Sequence, residues 1–407
     1  MRGLFLAALL FLGTASMAQD GHEMFTGQAA VADPAGERSL TRFPCHTCHG
    51  RDGQGGIEGD VPPIEWSRLS VASADRPGYG ADTFHRAVTE GVAVDGRPLS
   101  RLMPRYALNR AETDTLRAYL GRLHEIQRRG VLSDRLRIGV ATIPGAAEIS
   151  DGYRAALAKS LSERLGGDRV YGRQIELVPV DATQPGEAHD LLAVIGLPVA
   201  AVNPFTQLGL PVLAPVGALS GNEDSSILRG ITPSRDALHA ALAAEVAIKG
   251  QGPILVVSQD PAQRSAFALA LSLAAPDRAQ TDHAKEAEDI VVLDASPLPQ
   301  NSAARVWITW QSLAARSTTA APDQTIMVAI ETPRIVSDAI TAQTHPIQIH
   351  AQEAGAVLAE ALKAAGRDVT RAGLLRALGD TVLVDIGLDY ARFPLTGTEE
   401  IAVVPMP

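Results

Sequence analysis

Cys45, Cys48 and His49 lie in the segment Cys-His-Thr-Cys-His, and together they offer three groups that can hold one cofactor. Two thiols at this spacing can add to the two vinyl groups of one haem, and the adjacent histidine then lies beneath the iron as an axial ligand. The chain has 2 cysteines, both in this motif. The spacing therefore predicts one covalent haem c, held through Cys45 and Cys48 with His49 as the proximal iron ligand.

The sequence fits two other functions of a cysteine pair, zinc binding and thiol redox chemistry, less well. A structural zinc site needs four ligands, and the sequence shows no second ligand pair. A thioredoxin-like redox pair needs its own strand and helix, whereas the segment from Gly50 to Gly59 is rich in glycine. We therefore expect haem attachment.

The sixth iron ligand decides what such a haem does, because a closed iron transfers electrons and an open iron can bind small molecules or peroxide. Met103 is the first candidate, since Pro104 stiffens its loop and a helix capped by Asn109 and Glu112 is predicted to follow. Loop packing is the alternative role for Met103. His85 is the second candidate ligand, and an open site is the third possibility.

The N-terminus is typical of a signal peptide. Arg2 supplies the positive start, an apolar run extends from Leu4 to Leu12, and small residues at positions 16–18 suit cleavage before Gln19. The run is shorter than the roughly 20 apolar residues that span a bilayer. We expect residues 1–18 to be removed and the mature protein to be periplasmic, without a membrane span.

Charge is unevenly distributed along the chain. The formal net charge is -10, of which residues 125–407 carry -9, so the sequence gives no electrostatic support for nucleic-acid binding. Four arginines surround the candidate ligand Met103, and they could form a positive collar that steers an acidic partner. Solvated loop charges are the alternative. The four are Arg97, Arg101, Arg105 and Arg110.

The pattern of apolar residues divides the mature chain into a compact unit over 19–124, a linker over 125–135 and a larger domain over 136–407. In the larger domain short apolar runs alternate with helical patterns, which predicts parallel sheets with right-handed crossovers. Tyr153, Leu157, Leu161 and Leu165 mark one of these helices, and the segment 237–249 is another. The predicted strands are Arg137 to Thr142, Gln174 to Val180, Leu191 to Gly196, Ile254 to Ser258, Asp289 to Ala295 and Thr325 to Glu331.

The first unit resembles a class I cytochrome c. The segments CHTCHG, RDGQGG and MPRY, followed by a last helix ending in RAYLGRL, carry the resemblance over about residues 22–124. It implies an all-α fold, thioether bonds at Cys45 and Cys48, His49 as proximal ligand and Met103 as distal ligand. The stretch 84–106 is also similar to haem domains that accept electrons from alcohol and sugar dehydrogenases. This implies a dehydrogenase as a possible redox partner.

The larger domain resembles the type I periplasmic substrate-binding proteins of amino-acid ABC transporters. The segments LRIGVATIPG, DLLAVIGLPVAA, LGLPVLAPVGALSG and GPILVVSQD occur in the order found in that family. The resemblance implies two α/β lobes that close over a small ligand. Yet the family's first-lobe loop offers hydroxyl groups, whereas here Gly196 is followed by Leu197, Pro198, Val199 and Ala200. Side chains of this loop cannot hydrogen-bond an amino acid, although its backbone amides still could.

Polar residues near predicted strand ends could line a cleft, but each is more often a helix cap or a solvated loop residue. They are Glu148, Ser150, Ser220, Ser258, Trp310 and Glu331. No hydrolase or phosphate-binding motif is present, and His345 and His350 stand apart from other candidate ligands. We therefore expect no separate active site and no enzymatic activity.

Three functions fit these observations. The first is a periplasmic electron carrier whose binding-protein-like domain docks a dehydrogenase or senses a small molecule. The second is a solute-binding protein of an ABC-type transport system with an accessory haem domain. The third is a haem enzyme or gas sensor with an open iron site, which a methionine ligand at Met103 would exclude.

Overall fold

The computed structural model describes residues 21–28, 39–56, 59–142, 146–294, 296–297, 304–309, 312, 325–330 and 346–405. The chain divides into two compact units. Unit 1 comprises the residues up to Arg129 with Thr370–Gly373, and unit 2 comprises Gly130–Val369 with Leu374–Pro407. Within the described ranges, no helix combines the length and apolar character needed to cross a membrane.

Among the described residues of unit 1, the regular elements are helices, which turns and loops connect. Isolated bridges such as that of Val92 with Pro98 also occur. The predicted capping box is present, because Asn109 accepts a hydrogen bond from the Glu112 amide at 3.0 Å and Glu112 accepts one from the Asn109 amide at 2.7 Å. This cap begins the longest helix of the unit. The helices are α1 (21–26), α2 (Cys45–His49), α3 (Trp66–Leu69), α4 (Ala81–Thr89) and α5 (Arg110–Gln127).

The core of unit 1 forms between these helices. Leu116, Leu120 and Leu123 recur at helical spacing on α5, and all three are buried. They pack with Phe25 of α1 and Phe84 of α4 in one apolar cluster, against which Cys45 also packs. The cysteine motif therefore begins beside the core of its unit.

Unit 2 contains two sheets, each of which forms a lobe with its helices. The first sheet has the order β2-β3-β1-β4-β5-β6 and is parallel except for the β2–β3 pair. Its strands are β1 (Arg135–Thr142), β2 (Arg169–Val170), β3 (Arg173–Asp181), β4 (Ala193–Ile195), β5 (Val212–Leu213) and β6 (Leu228–Arg229). Its helices are α6 (Ala147–Leu165), α7 (Val202–Gln207), α10 (Pro346–Ala365) and α11 (Arg371–Leu378).

The second sheet has the order β13-β10-β9-β8-β7 and is parallel except at β13, which pairs antiparallel with β10. Its strands are β7 (Ile254–Val257), β8 (Asp289–Val292), β9 (Arg305–Thr309), β10 (Ile326–Ile330) and β13 (Ala402–Pro405). Helices α8 (Arg235–Lys249) and α9 (Pro261–Ala274) accompany it, and β11 (Val382–Leu383) and β12 (Leu388–Asp389) form a separate hairpin.

The chain passes between the lobes three times, after β6, after β10 and after β12. The predicted face of α6 is confirmed, because Tyr153, Leu157 and Leu161 are buried in the core of the first lobe against α10. The predicted strand from Leu191 to Gly196 is shorter in the structure, where β4 covers only Ala193–Ile195. Its flanking residues Leu191, Leu192 and Gly196 lie outside the strand.

Candidate functional site

The cysteine motif occupies the short helix α2. Pro44 precedes the helix with an extended ψ of 146°, and Gly50 ends it with a φ of 76°. Cys45 and Cys48 are not joined by a disulfide. Burial raises the pKa of the Cys45 thiol to about 12. A redox-active cysteine pair needs a readily formed thiolate, and burial disfavours one at Cys45.

His49 is held in one orientation by the backbone. Its Nδ1 lies 2.9 Å from the carbonyl oxygen of Pro62. Because a carbonyl only accepts hydrogen bonds, Nδ1 carries the proton in the neutral ring and Nε2 keeps a lone pair. Burial lowers the pKa of His49, so the neutral form is favoured. This arrangement is the one that a metal-binding histidine requires, with a second hydrogen bond fixing the tautomer.

The glycine-rich loop after α2 supplies that carbonyl. The amide of Gly55 donates to the carbonyl of His49 at 2.8 Å, and the amide of Gly56 donates to the carbonyl of Val61 at 3.0 Å. A Cβ atom on Gly55, whose φ is +75°, would lie 2.1 Å from the Val61 carbonyl oxygen. Only glycine lets the loop turn this closely, and the turn places Pro62 beside His49.

The two candidate distal ligands lie in different settings. Met103 is partly exposed in the loop between α4 and α5, where its amide donates to the carbonyl of Ser100 at 3.2 Å. His85 is on α4, and its Nδ1 lies 3.0 Å from the hydroxyl of Thr113 on α5. The ring of His85 is therefore engaged in linking two helices, whereas the Met103 side chain belongs to a loop.

Three of the four arginines near Met103 have polar partners among the described residues. Arg97 forms an ion pair with Asp95 at 2.6 Å, and Arg110 forms one with Asp82 at 2.5 Å. The guanidinium of Arg105 donates to backbone carbonyls of its own loop. Arg101 is exposed. Acidic side chains thus pair with Arg97 and Arg110, and loop carbonyls bind the guanidinium of Arg105.

In unit 2, the loop after β4 is apolar and largely satisfied by its own backbone. Leu197 is buried, and the amide of Val199 donates to the carbonyl of Val216 at 3.0 Å. Gly196 has a φ of +74°, and a Cβ atom there would lie 2.8 Å from the ring of Tyr153. The Val199 amide is therefore already used, which removes one backbone donor that the sequence left available for a ligand.

A buried hydrogen-bonded chain supports this end of the sheet. The Tyr153 hydroxyl lies 3.1 Å from Nδ1 of His350, and Nε2 of His350 lies 3.2 Å from the carbonyl oxygen of Pro215. Nε2 must donate to the carbonyl, so Nδ1 accepts from the tyrosine. Burial lowers the pKa of His350 to about 4. His350 is thus bound to a tyrosine and a backbone carbonyl rather than to other candidate metal ligands, and His345 lies outside the described residues.

The polar candidates at strand ends have mostly structural roles. Ser150 donates to the carbonyl of Ala146, and Ser220 donates to Glu223. Glu148 is exposed in the first turn of α6. Trp310 and Glu331 lie outside the described residues. The contacts of Ser150 and Ser220 are thus with residues of their own helix or turn.

Ser258 binds Asp294, a residue that the sequence patterns did not single out. Its hydroxyl donates to Asp294 at 2.7 Å, and the amides of Gln259 and Ser296 donate to the same carboxylate at 2.7 and 2.8 Å. Partial burial opposes ionisation of Asp294, but these hydrogen bonds outweigh it and lower its pKa to about 2. The predicted strand from Asp289 to Ala295 included Asp294, whereas β8 ends at Val292 and leaves Asp294 in the loop after it. Its carboxylate organises the ends of β7 and β8.

The similarities to known proteins concern this fold. No family model matches the sequence, and no curated protein matches it. The structure of a possible leucine/isoleucine/valine-binding protein from Rhodopirellula baltica is similar, with 12% identity, a TM-score of 0.50, and coverage of 67% of this chain and 94% of the other. A fatty acid ABC transporter substrate-binding protein from Thermomonospora curvata has 15% identity, a TM-score of 0.49, and coverage of 68% and 89%.

These similarities show a fold and not a ligand. The two-lobe α/β part of the predicted fold is confirmed, because parallel sheets and three lobe crossings accompany the similarity to the Rhodopirellula baltica structure. The all-α cytochrome c fold of the first unit stays a prediction. Across the described ranges, no group of three or more His, Cys, Asp or Glu side chains is placed to hold a metal ion.

Proposed function

We propose that the protein is a periplasmic mono-haem c-type electron carrier whose two-lobe unit binds a small molecule or docks a redox partner such as a dehydrogenase. The observation that carries the proposal is the hydrogen bond from His49 to the Pro62 carbonyl, next to two cysteines that form no disulfide. When bound, the haem supplies a reversible one-electron change at its iron. No catalytic step is assigned to the chain.

The residues of unit 1 have separate roles in this proposal. Cys45 and Cys48 hold the haem covalently, His49 binds the iron through Nε2, and Met103 is the second axial ligand. The Pro62 carbonyl keeps the imidazole oriented and raises its basicity. Because Met/His ligation favours a high reduction potential and closes the iron, the site would transfer electrons without binding substrate.

Spectroscopy of the full chain, produced in a periplasm that attaches haem c, tests this proposal. We expect a mass increase of one haem and a low-spin spectrum whose ferric form shows the methionine-to-iron charge-transfer band. Met103→Ala should abolish the band, and His85→Ala should retain it. Cys45→Ala with Cys48→Ala should lose the covalent haem. A band that survives in Met103→Ala, or a wild-type protein without haem, overturns the assignment.

The second candidate function is solute binding for an ABC-type transport system, with the haem as an accessory. The comparisons support this candidate more directly than electron transfer, because the two-lobe unit resembles a possible leucine/isoleucine/valine-binding protein from Rhodopirellula baltica. It predicts micromolar or tighter capture of a small solute. The apolar Leu197–Val199 loop and its engaged Val199 amide argue against an amino acid held through this loop.

Calorimetry distinguishes the two candidates. Branched-chain amino acids, short carboxylic acids and alcohols are titrated separately into the haem-loaded protein, and its reduction potential is measured with and without each compound. A solute that binds tightly without altering the potential supports the transport function. A panel that gives neither heat nor a shift in thermal unfolding counts against it.

A further inference from the structure

Arg105 lies two residues after Met103, and its guanidinium is bound to the loop that carries this methionine. Nη2 donates to the carbonyl of Leu99 at 3.0 Å, and Nη1 donates to the carbonyl of Ser100 at 2.9 Å. Nη1 also donates to the carbonyl of Met103 itself. One planar cation therefore bonds three carbonyls across five successive residues of the loop.

The same loop is closed against the end of α4. The amide of Leu99 donates to the carbonyl of Gly91 at 2.8 Å, and the amide of Tyr106 donates to the carbonyl of Val88 at 3.0 Å. These bonds fix the two ends of the segment 99–106. Arg105 adds a bond to Leu99 at one end of the segment and bonds to Ser100 and Met103 within it.

Gly91 provides the space for this guanidinium. Its φ is +70°, and a Cβ atom at Gly91 would lie 1.9 Å from Nε of Arg105. Any larger residue would have to displace the arginine. Gly96, in contrast, has a φ of +86° and nothing within 4 Å of the corresponding Cβ position. The two glycines share a backbone conformation but differ in what they accommodate.

We propose that Arg105 is a positioning residue that holds the backbone of the Met103 loop so that the thioether remains bound to the haem iron. This inference rests on the proposed function, since it requires haem and methionine ligation. A thioether is a neutral, weak ligand, so its occupancy depends on how firmly its loop is held. Three hydrogen bonds from a charged donor supply that restraint.

Competition with added imidazole tests the proposal without an activity assay. Imidazole binds the ferric iron only after methionine leaves, so its apparent affinity measures how often the methionine ligand is released. In Arg105→Met we expect this affinity to rise on the order of tenfold or more, because several charge-assisted hydrogen bonds are lost. Arg105→Lys should be intermediate, since ammonium cannot bond three carbonyls in one plane. Arg101→Met, which removes an exposed arginine of the same loop, should match wild type.

Substitution of the glycine tests the same role with Arg105 intact. Gly91→Ala should displace the guanidinium and raise the imidazole affinity, whereas Gly96→Ala should not. This pair decides the question if Arg105→Met fails to fold. Wild-type affinity in both Arg105→Met and Gly91→Ala overturns the proposal for Arg105. If Met103→Ala also has wild-type affinity, methionine ligation itself fails, which separates failure of the proposed function from failure of this inference.

Discussion

Nδ1 of His49 lies 2.9 Å from the carbonyl oxygen of Pro62, across a loop that turns at Gly55. The bond selects one tautomer of the imidazole and leaves Nε2 available to a metal. The backbone of the loop is therefore part of the candidate site, although none of its side chains is a proposed ligand. The geometry of this loop depends on Gly55, which is closely surrounded by backbone atoms, and on Gly56, which is not.

Gly55→Ala should be more harmful than Gly56→Ala. Both residues have positive φ, at +75° and +73°, so each substitution incurs about 1 kcal/mol of backbone strain. Only at Gly55 does the new methyl group also meet a backbone carbonyl, at 2.1 Å. We expect lower haem content and a lower melting temperature for Gly55→Ala, measured by absorbance and thermal unfolding. Equal losses in the two variants would contradict the role of the tight turn.

Tyr106→Phe should destabilise unit 1. The Tyr106 hydroxyl is buried and donates to the carbonyl of Phe43 at 2.7 Å, linking the Met103 loop to the residues before α2. Removing it leaves a carbonyl without that donor, at a cost of about 1–3 kcal/mol. Tyr171→Phe is the control, because its hydroxyl also donates to a carbonyl at 2.7 Å but Tyr171 is 48% exposed, so water can replace it. Denaturant unfolding should distinguish the two.

His350 should contribute to acid sensitivity of unit 2. Its pKa is about 4 in the folded protein, against about 6.5 when unfolded, so the unfolded state binds the proton first as pH falls. The contribution of His350 to the free energy of unfolding is fully present above pH 6.5. It declines toward pH 4, by about 3 kcal/mol in total. His350→Gln should flatten the dependence of unfolding free energy on pH in this window. An unchanged slope in His350→Gln would disprove the effect.

Asp289→Ala should strongly destabilise the second lobe. The Asp289 side chain is 1% exposed, pairs with Arg278 at 2.8 Å and accepts the indole N–H of Trp307 at 2.7 Å. Removing the carboxylate leaves a cation and an indole N–H without their acceptor, at a cost of about 3–5 kcal/mol. Lys159→Ala removes an exposed ion pair with Glu163 and should cost about 0–1 kcal/mol. Chemical denaturation of both variants measures the difference.

Local patterns predicted the elements that depend on local chemistry. The cap at Asn109 and the buried face of α6 follow from spacing along one helix, and the structure has both. The two-residue strands β5 and β6 were not predicted, because they have too few residues to show a period. Strand β13 was also missed, since it is defined by pairing with β10 rather than by its own sequence.

The candidate sites show the same limit. The cysteine motif was visible because its three groups are neighbours in sequence, but the Pro62 acceptor is a backbone atom that no residue type reveals. The inward direction of Arg105 was likewise invisible, because the sequence shows a charge and not its partners. Tyr153 and His350 are 197 positions apart, so only the fold brings them together.

The interleaving of the two lobes affects the order in which the protein can fold during synthesis. The first lobe combines strands before residue 230 with helix α10, and the second lobe is closed at its edge by β13 near the C-terminus. Neither lobe has all its elements until most of the chain has emerged. The cysteine motif precedes every strand of both lobes. Cys45 and Cys48 therefore emerge on a chain whose two lobes are both still incomplete.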